Sequence, residues 1–428
     1  MRKTSEVLKI INFENGITLG HIFLPFSLSE AVAAFVRAGN RFDPQNLSGL
    51  AHFVEHMTYL GTKDYPRAED LHFALEKHGA SYDAYTYPDY TYFTIKFAHN
   101  FFEEMVKNLA ERIVHPIFKS VDIGGARQII LEELYSNKTN PQNRIWDLWS
   151  ELVWQGTPLA KSYLGDEETI RRINKQNLLD FHRKYYTAKN TVFLYAGPVE
   201  INKVVGLFMR HFQDYPVGEQ KSAETMVFGK ETTMKFASFE GDQVTFACGF
   251  RTEGLLSKDS LALELLRVII GVGWSSRLGR KLFLEEGLIY NWSMNFHQLI
   301  DGGYLMFQSE VTKTNLFKVI EIFLKEIGKI IETGLSEEEL EKAKNYYKGY
   351  LLANMESPLD FIHWYGWQLL FAPADIVPVK ERCKKINMVS AREIKEVCQK
   401  YCTQKNFFLA SIGRISKDIR HALLRSLR

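Results

Sequence analysis

Two histidines and a glutamate lie within five positions of one another in the stretch AHFVEHMTYLGT, residues 51–62. Residues four apart lie on one face of a helix, so His52 and His56 can direct imidazole nitrogens at one metal ion. Glu55 lies beside them and could take a proton from a water molecule as a general base. A lone histidine on an apolar helix is usually only hydrogen-bonded to its surroundings. The His, Glu, His set at this spacing instead matches HxxEH, a pattern of zinc peptidases.

A zinc site built on this pattern requires a third protein ligand. Helical spacing is predicted for ARQIILEELYSNKTNP, residues 126–141. At 100° per residue, Glu133 falls about 45° from the centre of the apolar face, whereas Glu132 falls about 145° away. A carboxylate on the buried side of a helix is costly unless it is paired or bound to metal. We therefore predict Glu133 as the third ligand; the alternative is an ion pair with Lys or Arg at a helix boundary.

The composition limits the kind of protein that this chain can be. It has 428 residues and a formal charge of only +2, so no basic surface for nucleic acid or anionic membrane is expected. Four cysteines in so long a chain do not form a disulfide framework and are typical of a reducing compartment. Since no apolar run of secretory or membrane-spanning length is evident, we expect a soluble, cytoplasmic protein.

The pattern of strands and helices indicates two α+β units of similar design. An N-terminal domain over residues 1–215 and a C-terminal domain over 231–428 are predicted, joined by a linker over 216–230 that gathers Pro, Gly and charge. NTVFLYAG in the first half and NFFLASIG in the second match in pattern and position, and each reads as a short buried strand.

The chain resembles the pitrilysin and insulysin family of inverzincin metallopeptidases, in the half-size form shared by mitochondrial processing peptidase subunits and their bacterial relatives. In that family 76 residues separate HxxEH from the third ligand, and 76 residues separate His56 from Glu133 here. The other matching stretches are NGITLGHIFLP, FVRAGNRFDP, EHMTYLGT, ASYDAYTYPDYTYF, KSYLGDEETIRRI, KYYTAKNTVFLYAGPV and GWSSRLGRKLFLEEGLIYNWS.

The resemblance implies an α+β fold of two homologous domains, each an antiparallel sheet packed by helices, facing one another across a chamber. It implies a zinc endopeptidase that cleaves peptides or leader and signal segments, with the substrate added as a strand to a sheet edge. The implied zinc ligands are His52, His56 and Glu133, and the implied catalytic residue is Glu55. The implied substrate-binding residues are Asp83, Ala84, Tyr85 and Thr86 on the edge strand and Tyr290 in the second half. A tyrosine-rich hairpin that serves only packing is the alternative for the edge strand.

Three positions differ from that family's pattern. The family's second glutamate, seven residues before the third ligand, is Ala126 here, and the asparagine of its edge strand is Asp83. The family's arginine, seven residues before Tyr290, is Phe283, which cannot donate a hydrogen bond to substrate.

These departures predict a division of labour between two chains. We expect this chain to be the zinc-bearing catalytic subunit and a homologous but different partner to supply the arginine missing at Phe283. One alternative is a homodimer in which Arg277 or Arg280 takes that role. A second alternative is a non-catalytic structural or peptide-binding subunit of the same fold.

Overall fold

The computed structural model describes residues 8–226 and 233–426, the last three by their backbone alone. The expected linker lies partly outside these ranges. The elements of the first half are β1 (Leu8–Asn12), β2 (Thr18–Phe23), β3 (Ser29–Val36), α1 (Leu50–Met57), α2 (Ala68–Glu76), β4 (Ser81–Thr86), β5 (Thr91–Ala98), α3 (Phe102–Val114), α4 (Ser120–Thr139), α5 (Pro141–Val153), α6 (Glu167–Arg172), α7 (Lys175–Tyr185), β6 (Thr191–Gly197) and α8 (Ile201–His211).

The second half also consists of strands and helices, and it contains a π-helix at Gly279–Glu285. Within the described ranges, no helix combines the length and the apolar character that crossing a membrane requires. The elements of the second half are β7 (Met234–Ala237), β8 (Gln243–Thr252), α9 (Ser260–Gly271), β9 (Trp292–Gln298), β10 (Gly303–Thr312), α10 (Leu316–Thr333), α11 (Glu337–Ala353), α12 (Pro358–Phe371), α13 (Val379–Met388), α14 (Ala391–Tyr401), β11 (Phe407–Ile412) and α15 (Lys417–Ser426).

Two sheets with the same strand order confirm the predicted α+β class with two similar domains. The first sheet runs β1-β2-β6-β3-β5-β4 and the second runs β7-β11-β8-β10-β9. Apart from the extra strand β1, each strand of the first sheet has a counterpart at the same place in the second. Each sheet is antiparallel except for one pair, β2 with β6 and β7 with β11. NTVFLYAG and NFFLASIG form the equivalent strands β6 and β11.

The two compact units interleave along the chain, whereas the sequence predicted two continuous domains. Unit 1 combines residues up to 135 with 162–224 and 354–378, and unit 2 takes the remainder. Residues 136–161, from the first half of the sequence, therefore belong to unit 2. Residues 354–378, from the second half, belong to unit 1. The physical reason is that each of these segments carries a helix, α5 or α12, whose apolar residues pack on the sheet of the unit it joins.

Strand β3 shows how α12 completes the core of unit 1. Its even-numbered residues, such as Val32 and Ala34, face the main core, where α1, α3 and α4 also pack. Its odd-numbered residues Ala33 and Phe35 face the opposite way, against Tyr365 and other residues of α12. Because both faces are covered, this strand is apolar at nearly every position.

Helix α5 plays the equivalent part in unit 2. Trp149 and Ile145 on this helix are fully buried and belong to the same apolar cluster as Met306 on β10 and Ala410 on β11. Both sheets thus receive one covering helix from the sequence half that does not supply their strands.

The packing of α12 predicts opposite effects for two matched substitutions, Gly366→Ala and Gly349→Ala. A Cβ at Gly366 would overlap the buried ring of Phe35, whereas a Cβ at Gly349, in α11, would meet no atom within 4 Å. We expect Gly366→Ala to lower the free energy of unfolding by about 1–3 kcal/mol. Gly349→Ala should raise it by about 0.5–1 kcal/mol, since alanine favours the helix. Urea unfolding of both variants checks this; equal effects would contradict the packing of α12.

Candidate active site

Helix α1 carries the HxxEH residues, and its start is fixed by two features. Gly49, immediately before the helix, has φ of 90°, and a Cβ there would lie 2.8 Å from the carbonyl oxygen of Leu164. Glycine alone adopts this conformation without strain. The carboxylate of Asp43 accepts the backbone N–H groups of Gly49 and Ala51 at 2.7 and 2.8 Å. It thereby satisfies donors that the first turn of a helix leaves free.

Helix α4 carries Glu133, and a half-buried arginine holds the helix in place. Arg127 donates hydrogen bonds to the carbonyl oxygens of Ile170 and Ile173, at 3.1 and 2.6 Å. Its guanidinium also lies 5.8 Å from the ring centre of Phe53, on α1. These contacts tie α4 to α1 and to the end of α6, so Glu133 is presented to the two histidines.

The three predicted metal ligands lie together in unit 1. The Nε2 atoms of His52 and His56 are 3.2 Å apart, and Oε2 of Glu133 lies 3.7 Å from each of them. His52 is buried and His56 half-buried, and the Glu133 side chain is 44 % exposed. Within the described residues, this is the one group of three or more His, Cys, Asp or Glu side chains whose ligand atoms converge in this way.

This donor set fits a zinc ion. Tetrahedral zinc with nitrogen and oxygen ligands about 2.0–2.1 Å away requires ligand atoms about 3.3 Å from one another, close to the separations observed. Burial lowers the pKa of His52 to about 3 and that of His56 to about 4, so both imidazoles are neutral at pH 7. A neutral imidazole has the free lone pair that a metal requires. Glu133 supplies one negative charge, and two histidines with one glutamate form a known catalytic zinc set.

Glu55 is buried beside the histidines, and a threonine hydroxyl holds its carboxylate. Burial raises the pKa of Glu55 to about 7, and a hydrogen bond from Thr86 opposes that rise. Thr86 donates this bond from Oγ1 to Glu55 Oε2 at 2.6 Å. Sequence reasoning considered only the backbone of Thr86 and missed this role of its side chain. The available signal was alternation along β4, which places the side chains of Tyr82, Ala84 and Thr86 on one face.

The remaining edge-strand residues lie on β4, whose one pairing partner among the described residues is β5. Asp83 and Tyr85 are exposed, and Ala84 is half-buried. Oδ1 of Asp83 accepts the backbone N–H of Ala84 at 2.9 Å. The structure therefore places these residues on a free sheet edge, at whose end Thr86 contacts Glu55.

Comparisons with known proteins place this site in a family. The family model described as Insulinase (Peptidase family M16) matches residues 26–167. This range includes the four residues of the site, His52, Glu55, His56 and Glu133. The model described as Peptidase M16 inactive domain matches residues 172–347. The chain belongs to peptidase family M16. The predicted resemblance to the half-size members of that family is confirmed.

Curated M16 relatives include peptidases that match most of the chain. The mitochondrial-processing peptidase subunit beta of Bos taurus is 26 % identical over 90 % of this chain and 80 % of its own length. An uncharacterized zinc protease of Rickettsia felis is 27 % identical over 82 % of this chain and 84 % of its own length.

Solved structures support the M16 fold. A protease from Helicobacter pylori superposes with a TM-score of 0.86 at 20 % identity, covering 95 % of this chain and 99 % of its own. A peptidase M16 inactive domain from Pseudomonas fluorescens gives a TM-score of 0.88 at 18 % identity, covering 96 % and 98 %. At these identities the similarity concerns the fold alone.

The positions that differ from the M16 pattern have distinct surroundings. Ala126 is buried in the core of unit 1. The buried Nδ1 of His52 has no hydrogen-bond partner among the described residues. In unit 2, the ring of Phe283 lies 5.5 Å from Trp274 and 5.6 Å from Trp292, and the side chain of Tyr290 is 80 % exposed.

The lowered histidine pKa values predict acid-sensitive stability of the metal-free protein. Between about pH 6.5 and 4, the unfolded chain binds protons at His52 and His56 that the folded chain does not. Each histidine therefore removes up to about 1.4 kcal/mol of stability per pH unit as the pH falls through this window. The raised pKa of Glu55 acts in the opposite direction. Between about pH 7 and 4.5 it offsets the loss of stability that one of the two histidines causes.

Thermal unfolding of the chelated protein at pH 7.5, 6.0 and 4.5 measures this effect. We expect the midpoint to fall with pH in the wild type and to fall less in His52→Gln, which lacks one of the two groups. An identical pH dependence in both proteins would show that His52 is not held in its neutral form.

Proposed function

We propose that this chain is a zinc-dependent endopeptidase that cleaves peptides or leader and signal segments. The observation that carries the proposal is the convergence of His52, His56 and Glu133, beside a buried Glu55 that Thr86 ties to a free sheet edge. The names of the M16 relatives, a processing peptidase subunit and a zinc protease, support the same reaction class.

Each residue has a defined task in this reaction. His52, His56 and Glu133 would hold the zinc, which supplies a Lewis acid that lowers the pKa of water and polarises a carbonyl. Glu55 takes a proton from the attacking water and then gives it to the departing amine. In the metal-free protein, burial raises the pKa of Glu55 to about 7, so its carboxylate can both accept and release a proton near neutral pH. Strand β4 orients the peptide, since its outer backbone groups are free to pair with an added strand.

We further propose that the chain acts with a homologous partner chain that supplies a guanidinium group. Phe283 stands where an arginine is expected, and it is packed between two tryptophan rings. Arg277 is occupied, because its Nε and Nη2 donate to both carboxylate oxygens of Glu339 at 2.8 and 3.0 Å. The side chain of Arg280 is 64 % exposed. A homodimer in which Arg280 supplies the guanidinium group therefore remains the alternative. That the Bos taurus relative is named a subunit supports a two-chain enzyme.

Peptide binding without cleavage is the second candidate function. Phe283 favours it, because this side chain offers no donor to a developing oxyanion. The buried Nδ1 of His52 has no hydrogen-bond partner in the described part of the chain, and this also favours peptide binding without cleavage, since metal-binding histidines usually donate this N–H to an acceptor.

Substitution of the proposed base separates these two functions. Glu55→Gln removes the proton acceptor but none of the three ligands, so it should lower turnover at least about a hundredfold and leave one zinc per chain. Cleavage of a quenched fluorescent peptide library and zinc content are measured on the same samples, with the wild type as control. Wild-type turnover retained by Glu55→Gln would refute the assigned base. A wild-type chain that binds zinc and peptide but cleaves nothing, even with its partner, would favour the second function.

The hydrogen bond from Thr86 predicts a shift of the pH–rate profile. Thr86→Val removes the hydroxyl that stabilises the ionised form of Glu55, so the acidic limb of kcat should move to higher pH. A hydrogen bond to a charged group is worth about 1.5 kcal/mol or more, which corresponds to a roughly tenfold loss of kcat below the shifted pKa. Thr86→Ser keeps the hydroxyl and should restore the profile. An unchanged profile in Thr86→Val would exclude this role.

A further inference from the structure

We propose that unit 2 contains a binding site for a phosphate group, in a cavity between helix α9, the segment that leads into the π-helix, and helix α11. Arg280 and Lys342 bind the phosphate oxygens. The site uses none of the residues of unit 1 and does not depend on the proposed peptidase function. It follows from the cavity itself, from the charges that line it and from the partners that those charges already have.

The cavity lies within unit 2 and has a volume of about 60 Å³. This is several times the volume that one water molecule requires, so an anion of a few heavy atoms can enter. The apolar part of its lining is formed by Val268, Ile269 and Ala343. The polar part is formed by Ser275, Arg277, Arg280, Glu339 and Lys342.

The segment before the π-helix forms a tight turn that brings Arg280 to the cavity. Gly273 has φ of 81°, and a Cβ at Gly279 would lie 2.4 Å from the carbonyl oxygen of Gly273. Oγ of Ser276 accepts the backbone N–H of Gly279 at 3.1 Å. Arg280 follows as the second residue of the π-helix. Such helices are rare and occur frequently at functional sites.

The carboxylate of Glu339 lines the cavity but is already paired. Its two oxygens accept hydrogen bonds from Nε and Nη2 of Arg277, at 2.8 and 3.0 Å. The two charges of this pair cancel. The remaining charged residues of the lining are Arg280 and Lys342, so the cavity has a net charge of about +2.

These two cations have no close carboxylate partner. Lys342 donates to the backbone carbonyl oxygen of Ser275 at 2.6 Å, which is a neutral acceptor, and within the described ranges it forms no ion pair. Nε of Arg280 lies 3.7 Å from Oε1 of Glu285, which is beyond hydrogen-bond distance. The other oxygen of Glu285 accepts a hydrogen bond from Lys281 at 2.9 Å.

An anion between Arg280 and Lys342 relieves the repulsion of their charges. Burial lowers the pKa of Lys342; the Glu339 carboxylate opposes this shift, and the like charge of Arg280 adds to it. A phosphate group carries about −1.5 to −2 charges at pH 7 and therefore matches both cations, whereas a carboxylate matches only one. Its oxygens accept hydrogen bonds from a guanidinium and an ammonium group at once. Ser275 adds a hydroxyl group to the same lining.

Calorimetric titration of the full chain with inorganic phosphate tests the site. Zinc is first removed by chelation, so that phosphate cannot bind a metal in unit 1. At pH 7.5 and constant ionic strength, the wild type should bind one phosphate with a Kd of about 1 mM or below. Acetate should bind at least about tenfold more weakly, because it carries a single charge. Glycerol 3-phosphate distinguishes the sources: tighter binding than inorganic phosphate assigns the site to a phosphate ester, and equal or weaker binding assigns it to free phosphate.

Matched substitutions assign the binding to the cavity. Lys342→Gln and Arg280→Gln each remove one cation and should raise the Kd for phosphate at least about tenfold. Lys348→Gln is the control. Lys348 lies on the same helix and also donates to a neutral oxygen, Oδ1 of Asn387 at 2.7 Å, but it does not line the cavity. This variant should bind phosphate as the wild type does. Circular dichroism verifies that each variant is folded.

Three results of the titrations would overturn the proposal. They are the absence of saturable binding by the wild type up to about 50 mM phosphate, an unchanged Kd in both Lys342→Gln and Arg280→Gln, and acetate that binds as tightly as phosphate. A crystal of the full chain soaked in tungstate, an electron-dense analogue of phosphate, gives an independent readout. An anion between Arg280 and Lys342 supports the site, and tungstate bound only elsewhere refutes it.

Discussion

Burial of polar groups around helix α1 is the constraint on which the arrangement of unit 1 depends. His52 and Glu55 are almost fully excluded from solvent, and an unsatisfied polar group in such a place costs several kcal/mol. Each neighbouring element reduces this cost in a specific way. Asp43 satisfies the first N–H groups of the helix, Thr86 satisfies the glutamate, and Glu133 offers the negative charge that a metal bound by two neutral imidazoles requires. The same burial keeps the imidazoles in the form that binds metal.

The metal ligands could be predicted from the sequence because their chemistry and their helical periodicity agree. His52 and His56 share a face at any regular helical geometry, and the apolar spacing of α4 favoured Glu133 over Glu132. The structure brings Glu133 to the histidines but leaves its side chain 44 % exposed, so the prediction that it lies on a buried face is wrong. Alternation along β4 indicated which face the Thr86 side chain is on, but its hydrogen bond to Glu55 could not be predicted, since it depends on how far β4 lies from α1. The sequence also did not predict that α5 packs on the second sheet and α12 on the first. An apolar stretch such as FIHWYGWQLLF indicates that a helix is buried, but not which sheet it covers.

The repeated fold serves two chemically different purposes. Unit 2 has the same strand order as unit 1, yet the M16 model that matches it is described as an inactive domain, and the described metal-ligand group lies wholly in unit 1. Two tryptophan rings lie beside Phe283, whereas Glu55 accepts a hydrogen bond from Thr86 and lies beside the two histidines. The same strand order thus supports a buried polar cluster in one unit and a group of aromatic rings in the other, because the order of strands constrains the backbone and not the side chains.

The position of α12 in the sequence also limits when unit 1 can finish folding during synthesis on the ribosome. All six strands of the first sheet have been synthesised by residue 197, but the helix that shields Ala33 and Phe35 begins only at residue 358. During synthesis of the intervening residues, the nascent first unit exposes an apolar sheet face, which is a surface that chaperones and other unfolded chains bind. For the same reason, a polypeptide that ends at the linker would keep this face uncovered. The core of unit 1 can therefore be completed only after residue 371 has been synthesised.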